Sequence, residues 1–158
     1  MNVYEEATKL MEESFGNGQD EVVSLATISR YPGEDGRPRP AIRNVNAYYE
    51  DGAFYTITYG LSNKIQQIAE NPQVAVDVCF KWFTANAVGI NRGWVLKPEN
   101  AEIRSKLRKV FAAWYEMANN EQDENCCILE VRLTNGVLIK DHHAVRYEID
   151  FANRTAVK

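Results

Sequence analysis

The runs PAIRNVNAYYE (40–50) and AFYTITY (53–59) are both β-prone, and only Asp51-Gly52 separates them. A link of this kind closes an antiparallel hairpin, because its left-handed backbone matches the right-handed twist of the flanking strands. Around this hairpin the chain shows further short strand-like runs cut by glycine, proline and asparagine. VVSLATIS (22–29) is followed by YPGEDGRPRP, which cannot continue a strand, and VAVDVCF (74–80) sets Val74, Val76, Val78 and Phe80 on one face. TANAVGINRGWVL (84–96) reads as a strand bent or bulged near Gly89 or Gly93. CCILEVRLTNGVLIK and AVRYEIDF supply the last strands, with Asn135-Gly136 marking a turn or bulge.

Helical periodicity occurs in three places. Tyr4, Ala7, Met11 and Phe15 predict an amphipathic helix from residue 2 to about 15. SNKIQQIAENP predicts a short helix with Ser62 as N-cap, Ile65, Ile68 and Ala69 on one face, and Asn71-Pro72 at its end. After Pro98, the stripe Ile103, Leu107, Val110, Phe111 and Trp114 predicts the longest helix, ending near Met117. This order of elements predicts an α+β, mainly β domain built on a sheet or barrel with flanking helices, and disfavours a doubly wound parallel sheet. A length of 158 residues fits a single domain over 1–158.

The formal net charge of −4 provides no overall attraction for nucleic acid or anionic lipid, so an anionic ligand has to be held by local charges. No apolar run approaches the ~20 residues that span a bilayer, and acids stand near the amino terminus where a secretory signal carries bases. A cytoplasmic protein is expected. Cys79, Cys126 and Cys127 form no CxxC pair and read as reduced core residues, with neither a disulfide framework nor a zinc site. His142 and His143 are adjacent and point to opposite sides of an extended chain, so they read as surface histidines, with no metal site expected.

Strand alternation places Arg43 on one face with Ala41, Val45 and Ala47, a guanidinium among small apolar side chains. Such a charge needs an anion, either a ligand or an acid on a neighbouring strand such as Asp77. Lys64 lies in the first turn of the helix opened by Ser62, where the macrodipole disfavours a cation by about 0.3–1 kcal/mol. Free N–H groups at that helix start, the Ser62 hydroxyl, Lys64 and a guanidinium from an adjacent strand would together make a phosphate site. Thr56 and Thr58 share one face of the second hairpin strand, and Tyr55 and Tyr59 occupy the other.

The stretch RNVNAYYEDGAFYTITYGLSNKIQQIAENPQVAVDVCFKW resembles the FMN-binding region of the pyridoxamine 5′-phosphate oxidase-like split-barrel flavoproteins. Arg43, Asp51-Gly52, Phe54-Tyr55-Thr56, Ser62, Lys64, Asn71-Pro72 and Trp82 match that pattern in order. The resemblance implies a split β-barrel of antiparallel strands with flanking helices and FMN as cofactor. Arg43 and Lys64 then correspond to the phosphate clamps, with Tyr55, Thr56 and Ser62 beside them, and the backbone around Asn44 and Val45 runs along the isoalloxazine. It further implies a homodimer with the flavin at the interface, completed by partner-chain residues near Trp82.

The sequence also departs from the oxidases. Asn63 and Tyr48 stand where they carry an arginine and a lysine, and the interval between Thr56 and Lys64 is longer. Their carboxyl-terminal W…R-x-H-x-R signature is replaced by DHHAVRYEID, so pyridoxamine phosphate is not the expected substrate. The expected activity is a flavin-dependent oxidoreductase on an unidentified small molecule, with NAD(P)H or a reduced substrate as electron donor and no catalytic side chain identified. The rivals are a flavin-binding, storage or stress-related module without turnover, and a split barrel holding a deazaflavin or haem.

Overall fold

Asp51 and Gly52 both take a left-handed backbone, with φ of 41° and 76°. Across them β2 (Pro40–Glu50) and β3 (Ala53–Tyr59) pair antiparallel, as the link requires. This pairing runs only from Tyr48–Tyr55 to Glu50–Ala53. Further out, β3 stays with β6 (Cys126–Lys140) as far as Tyr59, while β2 runs back along β1 (Glu21–Ile28) as far as Pro40. The hairpin therefore opens into a split.

The computed structural model describes Met1 to Lys158. Its strands follow the order β3-β2-β1-β4-β5-β6, with β4 at Gln73–Val78 and β5 at Phe83–Trp94, and β6 returns to β3 to close a six-stranded antiparallel barrel. The far half of β6 carries β7 (Val145–Asp150) and then β8 (Thr155–Val157), a short strand with no counterpart in the sequence reading.

Helix α1 (Val3–Phe15) starts on an Asn2–Glu5 capping box and buries Tyr4, Ala7, Met11 and Phe15. Phe15 contacts Tyr49, Phe54 and Phe83 at ring-centroid distances of 5.3, 5.9 and 5.2 Å, which places it in the main barrel core. Helix α2 (Asn63–Glu70) buries Ile65 and Ile68 in the same core. A methyl group at Gly89 would lie 3.0 Å from Ile68, so glycine there lets α2 seat against β5. A second core lies outside the barrel wall, where Tyr48, Tyr55 and Ile128 meet Ile103 and Leu107 of α3 (Ala101–Val110).

Several sequence expectations are corrected. The helix after Pro98 is broken: a 3-10 turn at Pro98–Asn100, α3, and α4 (Tyr115–Ala118) replace one long element, and α1 is the longest helix. Tertiary bonds favour the break, because Trp114 donates from Nε1 to Asp20 at 2.8 Å and buried Tyr115 donates to Glu121 at 2.7 Å. Buried Asn100 donates to the carbonyls of Arg92 and Trp94, which fixes the entry to α3. Of the turn or bulge expected at Asn135-Gly136, the structure has the bulge: β6 runs through without turning, with a register shift opposite Asn86/Ala87, and Gly136 admits Thr84 and Phe83 closely.

The bend of β5 is the Gly93 bulge, with φ of 76°. Phe80 leaves the face of Val74, Val76 and Val78 for a turn, where it is 92% exposed at φ 59°. Cys126 and Cys127 are buried, but Cys79 at the end of β4 is exposed. His142 and His143 lie exposed in a turn with positive φ, not in an extended segment. No helix is long and apolar enough to cross a membrane.

Candidate functional site

The split is bounded by two strand edges. From Pro40 to Ala47, β2 is paired on its β1 side only, and from Thr56 to Tyr59, β3 is paired on its β6 side only. Each edge leaves alternate peptide groups without a ladder partner. Helix α2 begins just after β3, so its first turn belongs to the same region.

Arg43 sits opposite Leu25 on β1 and shares the face of Thr27. Its Nη1 donates to Thr27 Oγ1 at 2.6 Å and to the Leu25 carbonyl at 3.3 Å, and its Nη2 donates to Gln67 Oε1 at 2.9 Å. Every one of these acceptors is neutral. Asp77 pairs with Ser24, one residue out of step with Leu25, and so faces the other side of the sheet. Glu70, the acid of α2, is held by Arg30 at 2.8 Å. Burial pulls the Arg43 pKa below its ordinary value.

Lys64 donates to Thr58 Oγ1 at 2.9 Å, again a neutral partner. It lies one helical turn from Gln67 on the same face of α2, which brings it toward the guanidinium bound to Gln67. Burial and, next, the Arg43 charge lower its pKa. The Ser62 hydroxyl is buried and bonded to nothing, although Ser62 is the N-cap of α2. No backbone carbonyl takes the first-turn N–H groups of Asn63, Lys64 and Ile65. A buried hydroxyl without a partner costs about 1–3 kcal/mol, and two repelling cations add to that. An oxyanion meeting these groups would relieve both costs, so the donor set fits a phosphate.

The remaining predicted residues divide. Thr56 lies on the Thr58 side, nearly fully buried, with only a 3.4 Å contact to the Ile57 carbonyl. Asn44 and Val45 lie on the open edge of β2, Asn44 accepting from Ser24 at 2.9 Å and Val45 packing on the core. The Tyr55 side chain is not brought to this cluster; it points into the α3 core, where Arg132 donates to its hydroxyl at 3.2 Å. Trp82 is also separate. It sits in the turn after β4, beyond the Val23–Val78 pair, 58% exposed and edge-on to His143 at 5.0 Å.

Sequence reasoning missed Thr27 and Gln67, the groups that hold Arg43. A buried threonine on a strand next to the arginine strand was the available signal for Thr27. A groove of about 370 Å³ on the outer sheet face is lined by Ser24, Ala26, Ile42, Ala75, Asp77 and Thr84 among others. Its single charged group is an acid, so it does not suit an anion.

No protein-family model matches the chain, and no curated protein matches it in sequence. Solved structures match it in fold. A putative pyridoxamine 5′-phosphate oxidase from Listeria innocua superposes with a TM-score of 0.60 at 11% identity, covering 89% of this chain and 100% of its own. A protein related to general stress protein 26, of the pyridoxinephosphate oxidase family, from Clostridium acetobutylicum gives 0.58 at 16% identity, covering 96% of each chain. An FAD-binding protein from Mesorhizobium loti gives 0.56 at 16% identity, covering 82% of this chain and 91% of its own. The closed barrel, the split between β2 and β3 and these superpositions together show that the chain has the split-barrel fold of the pyridoxamine 5′-phosphate oxidase-like proteins.

Proposed function

We propose that this protein binds FMN in the split and acts as a flavin-dependent oxidoreductase on a small molecule, with NAD(P)H or a reduced substrate as electron donor. The observation that carries the reading is a half-buried cation pair, Arg43 and Lys64, with neutral partners only, beside the orphaned Ser62 hydroxyl. The FAD-binding neighbour supports a flavin in this fold. The phosphate selects FMN among flavins, because the donor set suits one terminal dianion.

In this reading Arg43, Lys64, Ser62 and the first turn of α2 hold the phosphate, with Thr56 and Thr58 beside it. The open edge of β2 at Asn44 and Val45 offers peptide groups to the ring system, and the Tyr55 backbone lies on the facing strand. When bound, the flavin supplies the two-electron chemistry, and the protein supplies position and exclusion of water. The pocket is completed by a second copy of the chain, seated on the outer sheet face where Ile42 is 72% exposed, with Trp82 and its neighbours reaching the partner's split. A reduced, cytoplasmic setting accords with three free cysteines.

The test is an absorption spectrum of the purified protein, followed by titration of ligand-free protein with FMN and with riboflavin. Flavin bands and an FMN affinity at least ~100-fold above that for riboflavin are expected. Equal affinities would remove the phosphate assignment, and a Soret band would replace flavin by haem.

A further inference from the structure

Arginine has five N–H donors in a fixed plane. Three of them are occupied in Arg43: both on Nη1, by Thr27 Oγ1 and the Leu25 carbonyl, and one on Nη2, by Gln67 Oε1. Thr27 Oγ1 itself donates to Gln67 Oε1 at 2.6 Å. The two acceptors taken by different Nη atoms are therefore adjacent, and they clasp the end of the guanidinium. What remains is one N–H on Nε and one on Nη2, which lie side by side along the lateral edge. That edge is the fork that binds two oxygens of one phosphate or carboxylate.

From this geometry we infer that Thr27 and Gln67 are positioning residues that aim the lateral fork of Arg43 at the ligand's phosphate, and that Gln67 is neutral so that the guanidinium keeps its full charge for that anion. This rests on the reading of the split as a phosphate-bearing flavin site. Thr27 is 1% exposed, so its hydroxyl has no solvent to bond instead, and the closed Thr27–Gln67–Arg43 ring fixes the guanidinium plane. Gln67 also connects the strand clamp to the helix clamp, because Lys64 stands one turn before it on α2. Arg30 supports the arrangement by drawing Gln66 and Glu70 to itself, at 2.6 and 2.8 Å, which keeps the helix carboxylate off Arg43.

The experiment measures FMN and riboflavin affinities for the wild type, Thr27→Val, Thr27→Ser, Gln67→Leu and Gln67→Glu, each stripped of ligand and checked for folding by its melting curve. Thr27→Val and Gln67→Leu are expected to weaken FMN roughly tenfold and riboflavin by less than about twofold, and Thr27→Ser to restore the wild-type ratio. Gln67→Glu neutralises the guanidinium, so its FMN preference should vanish at neutral pH and return as the new carboxylate protonates. Equal losses for both ligands would overturn the inference, since a merely structural pair would give them. Unchanged ratios in folded variants would overturn it too. A wild type without FMN preference would instead overturn the phosphate reading beneath it, and the two failures are thus distinct. Thr27→Ser, the mildest change, keeps the test readable if a larger substitution does not fold.

Discussion

Two clusters of cations flank β3, and they are built oppositely. On the α3 side Arg92 and Arg132 reach Glu130 at 3.3 and 2.8 Å, and Arg104 and Arg108 reach Glu121 at 2.6 and 3.0 Å. On the split side Arg43 and Lys64 reach only hydroxyl, amide and carbonyl oxygens. Desolvating a charge is costly unless it is paired, so cations that serve only the fold are neutralised within the chain. Those left uncompensated in a half-buried cleft are the ones the proposed phosphate would neutralise. The contrast carries more weight than either arginine taken singly, because both clusters are set by the same chain in one fold.

The strongest way to break the comparison is Arg43→Ala. FMN affinity should fall about 100-fold with riboflavin little changed, while the ligand-free protein loses almost no stability. Isothermal titration and a melting curve read both at once. If the arginine were a fold element like Arg104, the melting curve would move and the FMN-to-riboflavin ratio would not.

Glu121→Ala probes the other side. It leaves Arg104, Arg108 and Tyr115 without their shared acceptor and should cost about 2–3 kcal/mol in urea unfolding, with the FMN-to-riboflavin ratio unaffected. The hydrogen bonds from Arg104, foremost, hold the Glu121 carboxyl down at about 2 from an ordinary 4.5. Because the folded state binds its proton less readily than the unfolded chain, this stabilisation is complete above pH 4.5 and is lost as pH falls toward 2. Acid unfolding should therefore separate the wild type from Glu121→Ala above that window and bring them together below it.

Gly89→Ala tests the seating of α2. The added methyl meets the Ile68 side chain at 3.0 Å, and a cost of about 1 kcal/mol with a few-fold weaker FMN binding is expected. The smallest effect is the pH response of the ligand-free site. Lys64 is held below its ordinary 10.5, so the unfolded state binds more protons there and stability should rise slightly as pH climbs toward that value. Saturating FMN, or Lys64→Met, should abolish this rise in the difference between parallel urea titrations. A rise that persists in Lys64→Met would assign it to another group.

Much of the site was legible because it rests on local rules. Alternation along 40–50 put Arg43 on the inner face, the helix start put Lys64 beside Ser62, and Thr56 and Thr58 fell together on one side of their strand. Tyr55 followed the same alternation to the opposite face, so its side chain belongs to the α3 core and not to the clamp. Thr27 and Gln67 gave little signal, since threonine in a strand and glutamine in a helix are ordinary until a guanidinium is found between them. Trp82 is expected at a partner chain's pocket, not at the clamp of its own chain. The sheet register sends it to the turn beyond Val78, next to His143.

The element boundaries show the same division. Asp51-Gly52 makes its hairpin wherever the chain goes, because left-handed backbone is a property of the residues in the turn. The helical stripe through Phe111 and Trp114 was equally regular, yet bonds to Asp20 and Glu121 ended it at Val110. Steric preference and period act over a few neighbours, so the kinds of element and the face of each side chain can be read along the chain. Which strands close the barrel, where the hairpin opens and which charges are left without counter-ions depend on contacts between residues far apart in sequence. Only the folded barrel brings those residues together, and the free energy of burial then decides which charges must be paired.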